Sequence, residues 1–282
     1  MKIFKTLICL CTTAAMLGGC AVNMQTEKET VTAQNETSTS LAETTLSATD
    51  VSLTVSEYDP APIVWGPGNI TDHQRPADPE NLQNKFSELN AQWLLPDEKQ
   101  ICLTFDEGYE NGFTAQILDT LKEKQVSAIF FCTYDYIRDN PELVQRMIDE
   151  GHILANHSYS HKNMTQISLA EASDEITLAH DYVAENYQYN MQYFRFPEGA
   201  FSEQTVALAQ SLNYRSVFWS FAYQDWETDN QPDEAAALEK IVGSTHNGEI
   251  MLLHAVSQTN ASLMGQIVDE IRSLGYEFTT AL

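Results

Sequence analysis

Residues 100–111, Gln-Ile-Cys-Leu-Thr-Phe-Asp-Glu-Gly-Tyr-Glu-Asn, decide how the chain folds. The apolar run at 101–105 reads as a buried strand, and it ends in two adjacent carboxylates, Asp106 and Glu107, followed by Gly108. Buried carboxylates are costly unless a cation or hydrogen bonds compensate them. The pair therefore marks either a strand end meeting water or a place where something positive is held.

Downstream the pattern alternates between strand and helix. Residues 112–124 are amphipathic, with Phe113, Ile117, Leu118 and Leu121 on one face, and 127–133 read as a second buried strand. A helix over 141–151, with Pro141 at its start and Gly151 at its end, leads to a third strand at 152–157. A long helix follows over 168–186, where Ser168 and Glu171 have capping-box spacing. Strands at 191–196, 215–220 and 249–254 alternate with helices at 202–212, 232–242 and one ending near 274, and 276–278 closes the set. Apolar strands alternating with helices predict an α/β fold with a parallel sheet covered by helices. About seven such units suit a barrel or an open doubly wound sheet equally, and both place their chemistry at the C-terminal strand ends.

The polar residues at those ends are Asp106 and Glu107, His157 and His161, Arg195 with Glu198 and Gly199, Asp225 with Trp226, and His254. Two histidines four residues apart share one face of a helical turn, a common arrangement for a divalent metal. Alone, such a pair fits ordinary surface or core histidines as well. With a carboxylate on the same rim, a two-His-one-carboxylate site is the better reading, suited to Lewis-acid hydrolysis. One carboxylate can ligate, the other can serve as general base, and His254 can protonate a leaving group. The reading is an amide or ester hydrolase.

The sequence of 282 residues also bounds its partners. Fifteen basic residues against 40 acidic ones give a net charge of −25, which argues against nucleic acid as a partner and for solubility. Lys2 and Lys5, a short apolar run at 7–17 and Leu-Gly-Gly-Cys at 17–20 read as a secretory leader. The ending resembles a bacterial lipobox, which implies cleavage before Cys20 and a membrane anchor through its lipidated thiol. Loss of Lys2 and Lys5 with the leader takes the charge from −25 to −27. Residues 20–59, rich in Thr, Ser and Glu, are expected to be a disordered tether, and the Pro/Gly-rich 60–98 an irregular arm. Cys102 and Cys132, inside apolar runs, are expected to be buried free thiols.

These residues, in this order, resemble the polysaccharide deacetylases with the NodB-type domain, carbohydrate esterase family four. Thr104-Phe105-Asp106-Glu107-Gly108 is similar to the family's Thr-Phe-Asp-Asp-Gly, and His157-Ser158 with His161 to its His-Ser/Thr-x-x-His. Arg195-Phe196-Pro197-Glu198-Gly199 is an altered Arg-Pro-Pro-Tyr-Gly, Asp225-Trp226 matches Asp-Trp, and Leu252-Leu253-His254 matches Leu-x-His. Within the family, 105–114, 201–226, 252–263 and Trp65-Gly66 look most like the delta-lactam-biosynthetic de-N-acetylases that act on muramic acid. The resemblance covers 99–282. It implies a distorted (β/α) barrel with fewer than eight units, acting as a monomer on peptidoglycan glycan strands.

It further implies Asp106 as general base, His157 and His161 as ligands of a divalent metal, Zn²⁺ or Co²⁺, and Glu107 at the third ligand position. Arg195 would orient Asp106, Asp225 would tune the general acid His254, and Trp226 and Leu252 would line the acetyl pocket. Glu198 and Gly199 would contact substrate, with the backbone N–H at Glu198 facing the oxyanion. The implied reaction is attack of a metal-activated water on an N-acetyl carbonyl, giving acetate and a free amine. Two residues depart from the pattern: Glu107 replaces Asp, or the subgroup's Asn, and Glu198 replaces Tyr, or the subgroup's Arg. A carboxylate at 198 would repel a muramic lactyl carboxylate, so N-acetylglucosamine or a chitin-like oligomer is the alternative substrate. A non-catalytic glycan-binding lipoprotein is the reading from another class.

Overall fold

The computed structural model describes residues 55–68, 70 and 72–282. The expected leader, Cys20 and the tether up to residue 54 lie outside the described residues. Val55, expected in the tether, is buried in the core, and Gln204 N–H donates to the Asp59 carbonyl, 3.1 Å.

The arm is more ordered than its Pro/Gly content predicts. It holds strand β1 (Ile63–Val64), helix α1 (Ala77–Lys85) and strand β2 (Ala91–Gln92). Strand β3 (Gln100–Glu107) follows, buried at every residue after Gln100, which accounts for its unbroken apolar run. Helix α2 (Thr114–Lys124) buries Ile117, Leu118 and Leu121 and ends where Gln125 turns left-handed. Strand β4 (Ile129–Cys132) leads into a short helix α3 (Tyr134–Asp139), which the sequence pattern did not announce, and then α4 (Pro141–Asp149) with Pro at its first turn. Strand β5 (Ile153–Asn156) precedes α5 (Leu169–Tyr187), which opens with the expected Ser168–Glu171 capping box. Strands β6 (Tyr193–Phe194) and β7 (Ala200–Phe201), helix α6 (Glu203–Ser211) and strand β8 (Arg215–Val217) come next. Helix α7 (Glu234–Ser244), strand β9 (Glu249–His254), helix α8 (Gln258–Ser273) and strand β10 (Glu277–Phe278) complete the chain.

β3 pairs in parallel with β4 and with β9, and the ladder continues in parallel from β4 through β5 and β6 to β8. Past β8 the chain returns to β9. Phe221 bridges Met251 in parallel, Ser220 N–H donates to the Ile250 carbonyl and Leu252 N–H to that of Phe221, both 2.9 Å. These bonds curl β3, β4, β5, β6, β8 and β9 around a shared interior, the expected distorted (β/α) barrel. β2 extends the sheet beside β8, so the arm belongs to the fold, and β1 pairs antiparallel with β7.

The floor of the barrel, at the N-terminal end of β9, is closed by a buried polar cluster. His246 Nε2 lies 2.9 Å from Ser220 Oγ, and its Nδ1 lies 3.0 Å from the Ser244 carbonyl and 3.4 Å from Glu249. Ser, His and Glu in sequence mimic a nucleophile triad, but all three are shut off from solvent. Their bonds satisfy backbone groups, including Ile250 N–H on Ser220 Oγ, 3.1 Å. Cys102 and Cys132 are buried and unpaired, as expected. Among the described residues no helix is long and apolar enough to cross a membrane.

Candidate active site

The C-terminal ends of the barrel strands open into a cavity of about 850 Å³. Asp106, His157, His161, Glu198, Trp226, Leu252 and His254 all reach its wall.

Asp106, one residue before the end of β3, lies on the face of the strand that points into the barrel. Arg195, just past β6 and buried, donates from Nη1 to Asp106 Oδ1 at 2.8 Å and to Thr104 Oγ1 at 2.9 Å. Its Nε and Nη2 donate to the carbonyls of Val217, 3.0 Å, and Phe218, 3.2 Å, and the guanidinium lies 4.0 Å from the Phe131 ring centre. Each nitrogen of this buried cation thus has a hydrogen-bond partner. Burial pushes the Asp106 carboxyl upward, but the charges of Arg195, His157 and His254 and the Arg195 hydrogen bond outweigh it, leaving the pKa below its ordinary value.

His157 follows β5. Its Nδ1 lies 2.9 Å from the Arg195 carbonyl, which can only accept, so Nδ1 carries the proton and Nε2 keeps its lone pair. Nε2 lies 3.6 Å from Asp106 Oδ2. Burial lowers the His157 pKa to about 4, against the pull of Asp106, so the ring is a neutral donor near pH 7. His161 places its ring centre 4.9 Å from that of His157. Between the two histidines the backbone is left-handed at Ser158 and again at His161, with φ of 73° and 57°. Glu175 on α5, buried, accepts from Ser160 N–H, 2.7 Å, and from the Ser160 hydroxyl, while Lys162 Nζ lies 3.3 Å away. That carboxylate, which no sequence spacing marks, clamps the loop that presents His161.

On the opposite wall, His254 ends β9. Its Nδ1 lies 2.6 Å from Asp225 Oδ1, and its backbone N–H donates to Asp225 Oδ2 at 2.8 Å. Burial lowers the His254 pKa, but the charge and hydrogen bond of Asp225, with Asp106 beyond, raise it above the ordinary value overall. Trp226, half-exposed, sets its ring 5.7 Å from that of His254. Trp65 from the arm also lines the cavity, tied by its indole N–H to the Trp219 carbonyl, 2.9 Å.

Two expected site residues are placed elsewhere. Glu107 does not reach the imidazole pair. Side chains alternate across a strand, so one residue past the inward Asp106 the side chain leaves the barrel interior. Glu107 is fully buried, and neither carboxylate oxygen has a hydrogen-bond partner. Burial, and then the charges of Glu110 and Asp106, push its pKa well above the ordinary value. Gly199 likewise does not line the cavity. Its φ of +63° and the Trp65 carbonyl, 2.7 Å from where a Cβ would sit, give this glycine a packing role behind the wall. Its neighbour Glu198 does face the cavity, held left-handed at φ 60° with Oε2 accepting from Asn163 Nδ2, 2.9 Å.

Among the described residues, no group of three or more His, Cys, Asp and Glu is set to hold a metal ion. The donors that face the cavity nevertheless suit a divalent ion in kind. His157 offers a neutral ring with a free Nε2, His161 stands beside it, and the Asp106 edge lies across from them. Two imidazoles leave the remaining positions to water and substrate.

A parallel barrel with a buried Arg–Asp pair, two adjacent imidazoles and a carboxylate-bound histidine facing them defines a class of hydrolase. The polysaccharide deacetylase family profile matches residues 95–217, and the chain belongs to this family, whose members generally depend on a divalent metal. It is 38% identical over 220 residues, 77% of this chain and 83% of the other, to the peptidoglycan-N-acetylmuramic acid deacetylase PdaA of Bacillus subtilis. It is 41% identical over 219 residues, 77% of this chain and 83% of the other, to an uncharacterized 30.6 kDa protein of Geobacillus stearothermophilus. Among solved structures, Bacillus subtilis PdaA, a family 4 carbohydrate esterase, superposes with a TM-score of 0.75 at 36% identity, covering 78% of this chain and 95% of that one.

Proposed function

We propose that this protein removes N-acetyl groups from peptidoglycan sugars, with N-acetylmuramic acid as the target. The observation that carries the reading is the pairing of two oppositely tuned groups across one cavity: Asp106, whose ionised form Arg195 favours, and His254, whose protonated form Asp225 favours. His157 and His161 would hold a divalent ion, Zn²⁺ in this reading, which would supply Lewis acidity toward the acetyl carbonyl and the attacking water. Asp106 takes the proton from that water, and Arg195 holds the carboxylate in place as it does so. His254 gives its Nε2 proton to the departing amine, while Asp225 fixes the tautomer through Nδ1. Leu252 and Trp226 form the apolar wall for the acetyl methyl. Half-exposed rings of Trp226 and Tyr109 flank the opening and suit the apolar faces of neighbouring sugars.

Glu198 favours a second reading. Among the described residues that line the cavity there is no Lys or Arg, so a free lactyl carboxylate would meet Glu198 without a Lys or Arg to offset it. N-acetylglucosamine carries no such charge. We also propose, from the leader and Cys20, an exported monomer anchored by lipid on the outer face of the cytoplasmic membrane. The test is acetate release from peptidoglycan fragments by the zinc-loaded full-length chain. Release that disappears in Asp106→Asn supports the reading, whereas no release from any N-acetyl sugar leaves the glycan-binding lipoprotein.

A further inference from the structure

Behind the Asp225–His254 pair lies a side chain with no surface exposure, Asn260, in the first turn of α8. Its Nδ2 lies 2.6 Å from Asp225 Oδ2 and 3.1 Å from the His254 carbonyl. Both of those oxygens can only accept, which fixes the amide orientation: the NH₂ faces them and Oδ1 faces the other way. There Oδ1 accepts from the phenol of Tyr223. Burial, followed by the charge of Asp225, pushes the Tyr223 pKa up, so the phenol keeps its proton and can only donate in this contact. The Tyr223 ring lines the cavity.

A directed chain results. The Tyr223 phenol donates to Asn260, Asn260 to Asp225 Oδ2, and His254 N–H to the same oxygen, while Asp225 Oδ1 is left for His254 Nδ1. Asp225 is almost wholly buried, so without the amide one lone pair of Oδ2 loses its donor and the carboxylate is held through His254 alone. We propose that Asn260 is a positioning residue for the general acid, with Tyr223 as the end of the chain on the cavity wall. The proposal rests on the reading of His254 as proton donor. The charged groups facing His254 are Asp225 from the segment after β8, Asp106 at the end of β3 and Arg195 after β6. The contacting residue from α8, Asn260, is neutral.

The experiment compares Asn260→Ala, Asn260→Asp and Tyr223→Phe in the zinc-loaded full-length chain, reading kcat, KM and the His254 ring titration by NMR. Asn260→Ala lowers kcat roughly 10-fold or more, with KM within about 2-fold, and shifts the His254 pKa down. Asn260→Asp separates positioning from packing. Two touching carboxylates hold a proton between them, and a protonated Asp can donate to Asp225 as the amide does. Its kcat therefore approaches wild type near pH 5 and falls roughly 10-fold below it near pH 8. Tyr223→Phe keeps the ring in the wall and lowers kcat a few-fold without changing KM. The proposal is overturned if Asn260→Ala retains kcat within 2-fold, if Asn260→Asp shows one deficit at every pH, or if the His254 titration is unmoved. The NMR arm needs no turnover, so an unmoved titration refutes the positioning role even where no acetate is released. A wild type without activity whose titration responds refutes the deacetylase reading alone.

Discussion

Replacing Glu107 with Met tests the most consequential difference between sequence and structure. Both oxygens of Glu107 are buried without a partner, and its pKa is raised well above its unfolded value near 4.5, first by burial and then by Glu110 and Asp106. A group whose folded pKa is raised contributes stability that is fully present below the unfolded pKa and is lost as pH rises. Burying a carboxyl whose two oxygens both lack a partner costs about 1–3 kcal/mol, and the cost grows as pH rises and the charged form is called for. Met has a similar unbranched shape and no polar atom to desolvate. Glu107→Met is therefore expected to be more stable by about 1–3 kcal/mol at pH 7, roughly 2–12 °C in Tm for a domain of this size. The gain should shrink toward pH 4.5. Thermal melts at the two pH values read the stability, and zinc titration of the same samples reads metal affinity. A roughly 10-fold or greater loss of zinc affinity, or a drop in Tm at pH 7, would show that Glu107 works at the site and would refute its placement in the core.

Other expectations follow from the same geometry. Arg195→Met leaves Asp106 buried without its cation, so its pKa rises, the acid limb of the activity profile moves to higher pH, and stability falls by about 3–5 kcal/mol in denaturant unfolding. Glu175→Ala releases the loop before His161 and should weaken zinc binding roughly 10-fold by calorimetry, with Glu175→Gln intermediate. Burial lowers the pKa of both His152 and His246 to about 4. Their contribution to stability is present above the unfolded value of 6.5 and is lost as pH falls toward 4, up to about 3 kcal/mol each. Melts of His246→Gln should accordingly show a shallower loss of stability between pH 6.5 and 4 than wild type.

The parallel sheet was legible because its strands are covered on both faces, whereas its closure into a barrel came from the family resemblance. Runs such as 101–105 and 250–253 are buried at every position and apolar except at Thr104, which only a sheet shielded by helices tolerates. The site was legible because Asp106, His157, Arg195 and His254 stand at or just past strand ends, where the fold gathers them. Other features were hidden for separate reasons. β6 is two residues long and held by its neighbours in the sheet, so local propensity could not bound it within 191–196. The arm's helix and β2 sit among Pro and Gly that read as irregular, and β2 depends on parallel pairing to β8, more than 120 residues away, as the 125-residue step from Ala91 to Ser216 shows. The Glu107 misplacement was recoverable, since the period of two along a strand already puts Asp106 and Glu107 on opposite faces. Glu175 and Asn260 left no such signal, because both act across helix–loop contacts that no spacing encodes.

The central claim is that Asp106 and His254 remove an acetyl group from a peptidoglycan sugar. Its most direct test is mass spectrometry of peptidoglycan fragments, fragmented to single sugars, after incubation with the zinc-loaded full-length chain and with its Asp106→Asn variant. Loss of one acetyl from muramic acid with the wild-type chain, and none with the variant, is the predicted result. Intact acetyl groups on every sugar, or equal loss with Asp106→Asn, would contradict it.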